Sequence, residues 1–267
     1  MDLRMVVIPP KTEHTHTVVF LHGRGDTAII FADMIQGAVT SRLRSLPDTF
    51  PSFRWVFPQS ESRPVASSPP ERWSQWFDVW NTRDFSDREG IQAEGLRESV
   101  ASMRRIAKGE AELLGGRWDR VILAGFDQGG STVVHTLLNL NIVNVVPGAP
   151  ALAPGSKRLG GLMVFSSRMP FPGGTVAETR EVLSLEDVPE SDEVVRNTPI
   201  LLEHSIDDPL ALVGWGRNLR DQLQTYSAKV TWKEYPDGGH WFNSPSGMDD
   251  AVVFLSQALG PGLSVDG

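Results

Sequence analysis

Short apolar runs alternate with amphipathic stretches along most of the chain. Leu3 to Ile8 reads as a short strand stopped by Pro9-Pro10, and Thr17 to His22 as a buried strand ending in His22-Gly23-Arg24-Gly25-Asp26. A helical pattern follows, with Ile30, Met34, Ile35, Val39 and Leu43 on one face. Phe53 to Phe57 is the next strand, closed by Pro58. Residues 58 to 88, rich in Pro, Ser and Trp, read as a long ordered loop, a length that in compact domains is often functional.

Glu89 to Leu114 is a long amphipathic helix, with Leu96, Val100, Met103 and Ile106 spaced by three or four. Arg120 to Gly125 is a strand, Gly129 to Leu140 a helix and Leu162 to Ser166 a strand. Residues 168 to 197 form a second excursion. Ile200 to His204 (strand), Leu210 to Thr225 (helix), Lys229 to Tyr235 (strand) and Met248 to Leu259 (helix) complete the pattern. Strands alternating with helices imply an α/β fold, with a mostly parallel central sheet and helices on both faces. No repeat or linker divides the chain, so residues 1–267 are expected to form one domain. Ligands of such sheets sit beyond the C-terminal ends of the strands.

Composition narrows the partners. The formal charge is −8 with no long basic run, which disfavours nucleic acid and anionic membrane surfaces. The absence of cysteine removes disulfides, thiolate zinc sites and a cysteine nucleophile. No apolar stretch approaches the ~20 residues that span a bilayer, and Met1 to Pro10 is too short and interrupted for a secretory signal. A soluble, cytoplasmic protein without integral membrane association is the expectation.

Three segments carry chemistry, each in a loop just after a strand. Gly125-Phe126-Asp127-Gln128-Gly129 has the frame of a nucleophile elbow, a Gly-x-X-x-Gly turn between strand and helix, with aspartate where serine is usual. Asp207-Asp208-Pro209 follows the strand at 200–204, and Gly238-Gly239-His240 the strand at 229–235. Nucleophile, acid, then histidine is the chain order of α/β-hydrolases. Either of Asp207 and Asp208 could instead only cap the following helix, and for one of the two capping is the expected role. His14, His16 and His135 lack such context and read as structural, whereas His22 sits beside the turn at residues 23–26.

With these motifs in place, the chain resembles the acyl-protein thioesterase and small carboxylesterase (lysophospholipase-like) branch of the α/β-hydrolase fold. The resemblance rests on Leu21-His22-Gly23-Arg24-Gly25-Asp26, Trp76-Phe77-Asp78, Gly125-Phe126-Asp127-Gln128-Gly129-Gly130, His204-x-x-x-Asp208-Pro209-Leu210 and Gly239-His240. The stretch from Arg72 to Val100 looks most like fungal members. The resemblance implies a metal-free, cofactor-free enzyme acting on small or acyl-chain esters and thioesters. It singles out Asp208 over Asp207 as the acid orienting His240, the base. It implies an oxyanion hole from the backbone N–H groups of Arg24 and Gln128, each such donor being worth roughly 3–4 kcal/mol. Arg24 stands where the family usually has an apolar residue, a change a backbone donor tolerates. Trp76, Trp80, Met163, Met169 and Phe171 are candidate pocket walls, with ordinary core as an equal alternative. The apolar excursion around residues 163–172 fits either an acyl groove or a homodimer contact.

Aspartate at 127 changes the expected reaction. Serine attacks an acyl carbon after giving its proton to histidine, and aspartate has no such proton at pH 7. Carboxylate attack on an ester would form a mixed anhydride by expelling a poorer leaving group, so acyl transfer should be badly impaired. Three readings are open. In the first, the site binds acyl substrates but turns them over slowly for want of the serine. In the second, Asp127 attacks saturated carbon or an epoxide, and His240 activates water against the alkyl-enzyme ester, as in haloalkane dehalogenases and epoxide hydrolases. In the third, Asp127 and His240 do acid–base chemistry in a biosynthetic reaction, or the fold has become a non-catalytic binding protein with a collapsed pocket.

Overall fold

The computed structural model describes residues 3–148, 153 and 155–260; the domain expected over 1–267 extends beyond these. Among the described residues nine strands form in chain order, including β1 (Met5–Ile8), β2 (His16–Leu21), β3 (Phe53–Pro58), β6 (Val121–Phe126), β7 (Gly161–Phe165), β8 (Pro199–Ser205) and β9 (Lys229–Tyr235). These seven make one sheet of order β1-β3-β2-β6-β7-β8-β9. All its pairings are parallel except that of β1 with β3.

The period-two alternation of side chains sorts the core into two layers. Val19, Leu21, Val121, Leu123, Leu162, Val164, Ile200 and Leu202 point to one face. There they meet α3 (Gln92–Leu113), α4 (Gln128–Asn139) and α7 (Val213–Thr225) through residues such as Val100, Leu137 and Leu223. Val18, Phe20, Ile122, Ala124, Met163, Phe165 and Leu201 point to the other face. Those residues pack on α1 (Ala28–Gly37) and α8 (Ser246–Leu259) through Phe31, Ile35, Met248 and Leu255. The central strands are apolar without interruption because both of their faces are covered.

Two details of the sequence reading change. The first helix buries Ala28, Phe31, Ala32 and Ile35, while Ile30 and Met34 face outward and Leu43 is 82% exposed. Thr27 caps this helix through its hydroxyl and fixes its start; the helix stops at Gly37, so Val39 and Leu43 lie beyond it. Residues 58–88 are not all loop: β4 (Ser62–Pro64) and β5 (Arg72–Ser74) form a small antiparallel ribbon within them. Residues 168–197 contain two short helices, α5 (Val176–Glu181) and α6 (Glu193–Asn197); α2 (Leu46–Thr49) is a further short turn before β3.

Candidate functional site

Asp127 is the single residue between β6 and α4, held at φ 49° and ψ −119°. A residue other than glycine in that region is strained, and the surroundings enforce it. A Cβ on Gly125 would collide with the backbone of Gly129 and Gly130, and one on Gly129 would lie 2.5 Å from the carbonyls of Leu21 and His22. These contacts require glycine on both sides of the turn. The Asp127 N–H donates to the Phe165 carbonyl (3.0 Å), and the Ser167 hydroxyl donates to the Asp127 carbonyl (2.6 Å). The elbow is thereby pinned to the end of β7.

The Gln128 side chain ties the elbow to the loop at residues 76–77. Its Oε1 accepts the Trp76 N–H (2.7 Å) and its Nε2 donates to the Phe77 carbonyl (2.6 Å). The backbone N–H groups of Gln128, Gly129 and Gly130 head α4, where no intrahelical acceptor exists for them. Opposite, after β2, the Arg24 N–H donates to Asp127 Oδ2 (3.0 Å). His22 braces that turn from full burial: Nδ1 bonds the Gly23 carbonyl (2.7 Å) and Nε2 accepts the Ser60 N–H (3.1 Å).

Asp208 follows β8 and His240 follows β9. His240 Nδ1 donates to both carboxylate oxygens of Asp208, at 3.1 and 2.9 Å. Burial pushes the His240 imidazole down, but its hydrogen bond to Asp208 and the charges of Asp127 and Asp208 outweigh it and raise its pKa. Burial likewise pushes Asp208 up, and is outweighed by His240 and by the Ala211 and Leu210 N–H donors, which hold the carboxyl below its ordinary range. With Nδ1 committed to Asp208, Nε2 is the ring nitrogen left for chemistry. Neither aspartate caps α7, which starts at Val213. Asp208 Oδ1 accepts the Leu210 and Ala211 N–H groups in the loop, and Asp207 Oδ1 accepts the Gly239 N–H (2.8 Å), fastening the histidine loop to the acid loop.

Asp127, Gln128 and His240 open on one cavity of about 690 Å³, walled by Trp73, Phe77, Phe85, Trp215 and Trp241, with Arg168 among its polar lining. None of the five expected wall residues lines it. Trp76 is core, 1% exposed, its Nε1 donating to the His22 carbonyl. Met163 is wholly buried in β7, on the face turned to α1 and α8. Met169 borders a neighbouring cavity, Phe171 packs partly buried against the core, and Trp80 lies under the Arg88 guanidinium outside the site. Trp241 had a signal, its position next to His240; Phe85, Arg168 and Trp215 had none beyond lying in or near loops at the C-terminal edge of the sheet. His135 is structural, buried in α4 and bonded to the Pro170 carbonyl (2.8 Å).

A parallel sheet wound on both faces, with an elbow after β6, an acid after β8 and a histidine after β9, defines an α/β-hydrolase fold. The profile of the phospholipase/carboxylesterase family matches residues 3–259, and the chain belongs to that family of carboxylic ester and thioester hydrolases. It is 25% identical over 258 residues to acyl-protein thioesterase 1 of Gibberella zeae, with 96% of each chain covered. It is 23% identical over 271 residues to acyl-protein thioesterase 1 of Cryptococcus neoformans, covering 97% of this chain and 98% of that one. Among solved structures, acyl-protein thioesterase 2 of Zea mays superposes with a TM-score of 0.68 at 25% identity, covering 96% of this chain and 99% of that one. Among the described residues, no helix is long and apolar enough to cross a membrane.

Proposed function

We propose that this chain is a single-domain α/β-hydrolase with an acyl ester or thioester site, in which Asp127 stands at the nucleophile position and impairs acyl transfer. His240 is its base, Asp208 orients that base, and the Arg24 and Gln128 N–H groups are its oxyanion donors. The observation that carries this reading is the 3.0 Å hydrogen bond from Arg24 N–H to Asp127 Oδ2. A donor suited to a substrate oxyanion is already engaged by a carboxylate, and that carboxylate has no proton to give His240. The relatives named acyl-protein thioesterase support the substrate class. The open cavity of about 690 Å³ is not the collapsed pocket expected of a retired site. The test assays a short-chain aryl ester and an acyl thioester with the chain as it stands and with Asp127→Ser. The serine variant should gain hydrolysis by orders of magnitude; no gain on either substrate refutes the reading.

The same hydrogen bond favours a second reading. Oδ2 is held by Arg24, whereas Oδ1 accepts no hydrogen bond among the described residues. Oδ1 could attack a saturated carbon and expel its leaving group with the bonding electrons. Water activated by His240 would then cleave the resulting ester, its carbonyl oxygen resting on the Arg24 N–H. Turnover in heavy-oxygen water would place label in Asp127; activity without label rules this route out.

A further inference from the structure

The cavity over Asp127 contains a cation that ester hydrolysis does not require. Arg168 lies three residues past the end of β7, on a loop clamped to the elbow: Ser167 donates to the Asp127 carbonyl, and the Ser131 hydroxyl donates to the Arg168 carbonyl (2.9 Å). The guanidinium lies 3.6 Å over the Phe85 ring, and Nη2 donates to Gln92 Oε1 (2.5 Å). Among the described residues that is its one hydrogen bond from the side chain, and it makes no ion pair with them. Desolvation lowers its pKa to about 10, countered by the charges of Asp127 and Glu89, so it stays cationic at neutral pH. A guanidinium has five N–H donors in a rigid fork matched to a carboxylate. Here its Cζ lies over an aromatic ring with most donors unspent, and Arg168 lines both the cavity that holds Asp127 and His240 and the one beside it.

We propose that Arg168 is a specificity residue that binds a carboxylate carried by the substrate's acyl group, so that the preferred substrates are half-esters or half-thioesters of dicarboxylic acids. A wholly apolar acyl chain packed against those donors would leave them unpaired, at a cost of about 1–3 kcal/mol or more that a carboxylate avoids. A monoanion fits better than a dianionic phosphate, because Asp127 and Glu89 already place negative charge around the guanidinium. Phe85 packs against the guanidinium, and Gln92 holds one edge of the fork.

The proposal rests on the acyl-site reading above, and the experiment separates the two. In the Asp127→Ser chain, kcat/KM is compared for an aryl ester of glutaric acid, its second carboxyl free, and the aryl ester of pentanoic acid. Arg168→Leu should lower the ratio of the first to the second about tenfold or more, the scale of one charge-assisted hydrogen bond, and Arg168→Lys should recover part of it. A smaller fall overturns the proposal. If neither ester is hydrolysed, the acyl-site reading fails, and binding decides the matter. Glutaric acid monoanilide, an uncleaved amide with the same free carboxylate, is then titrated calorimetrically against the unsubstituted chain and Arg168→Leu. A loss of about tenfold or more in affinity supports carboxylate recognition; a smaller loss, or no binding to either, overturns it. Tighter binding of a phosphonate of the same length overturns the choice of a carboxylate.

Discussion

The backbone N–H of Arg24 and the Oδ2 of Asp127, 3.0 Å apart, join the turn after β2 to the elbow after β6. The side chain proposed to stand at the nucleophile position therefore rests on one of the donors proposed to serve the reaction. Asp127 also acts at a distance, its charge helping to raise the pKa of His240. Asp127→Asn keeps a side-chain oxygen for the Arg24 N–H and removes only the charge. The His240 pKa should then fall, read from its imidazole resonances in an NMR titration. Because the folded pKa of His240 is raised, its contribution to stability is full below the unfolded value of about 6.5 and is lost as pH rises through the folded pKa. In Asp127→Asn that loss should be smaller and complete at lower pH, while still beginning near the unfolded value.

Asp208 holds three donors at once: His240 Nδ1 and the N–H groups of Leu210 and Ala211. In the Asp127→Ser background, Asp208→Asn should lower kcat about ten-thousandfold by presenting the wrong tautomer of His240. The folded pKa of Asp208 is depressed, so its contribution to stability is present above the unfolded pKa and is lost as pH falls through the folded one. Asp208→Asn should flatten that acid limb in denaturation curves recorded from neutral pH downward.

The Gln128 side chain satisfies a buried N–H at Trp76 and a buried carbonyl at Phe77. Gln128→Ala strands both and leaves a void, so it should cost about 2–4 kcal/mol in urea denaturation. Gln128→Glu can restore the acceptor to Trp76 but sets a carboxylate oxygen against the Phe77 carbonyl, and it should recover less than half of that loss.

The order of elements was legible because β2, β6, β7 and β8 are short, nearly continuous apolar runs, a pattern that survives only where helices cover both faces of a sheet. Asp127 and Asp208 were legible because each closely follows such a run, whereas β9 is a largely polar edge strand and His240 was legible through its Gly238-Gly239-His240 turn. What failed was side-chain direction. Met163 read as a pocket wall, yet as a central-strand residue it points away from the cavity edge into the layer beneath α1 and α8. The apolar spacing at Ile30 and Met34 competed with that at Phe31 and Ile35, and the bulk of Phe31 against Phe20 and Phe57 decided which face turned inward. The walls at Trp73, Phe85 and Trp215 come from β5, a loop and the first turn of α7. Their approach to Asp127 depends on contacts such as that of Gln128 with Trp76, and these leave no period in the sequence.

Gly125→Ala tests whether the turn or its side chain defines the elbow. A methyl group there overlaps the backbone of Gly129 and Gly130, atoms that cannot swing aside. A cost of about 3 kcal/mol or more is expected, with the Asp127 N–H to Phe165 bond weakened. Gly37→Ala, where a Cβ meets nothing within 4 Å, is the matched control and should be neutral or stabilising in the same melting experiment.

Glu203 lies in β8 on the face of Leu201, buried against α8, and among the described residues neither of its carboxyl oxygens has a hydrogen-bond partner. The nearby Tyr235 hydroxyl donates to Asp250 instead (2.9 Å). Burial first, and the charge of Asp250 second, raise the Glu203 pKa well above the ordinary carboxyl value. Between the unfolded and folded pKa values the unfolded chain has lost this proton and the folded chain keeps it. Stability must then fall with rising pH, by up to about 1.4 kcal/mol per pH unit for one proton. Glu203→Met, of similar volume and without the stranded oxygens, should therefore melt higher at pH 7–8, by an amount that shrinks as the buffer is taken down toward pH 5. A melting temperature that falls, or a difference independent of pH, would show that Glu203 is ionised and paired in the folded protein.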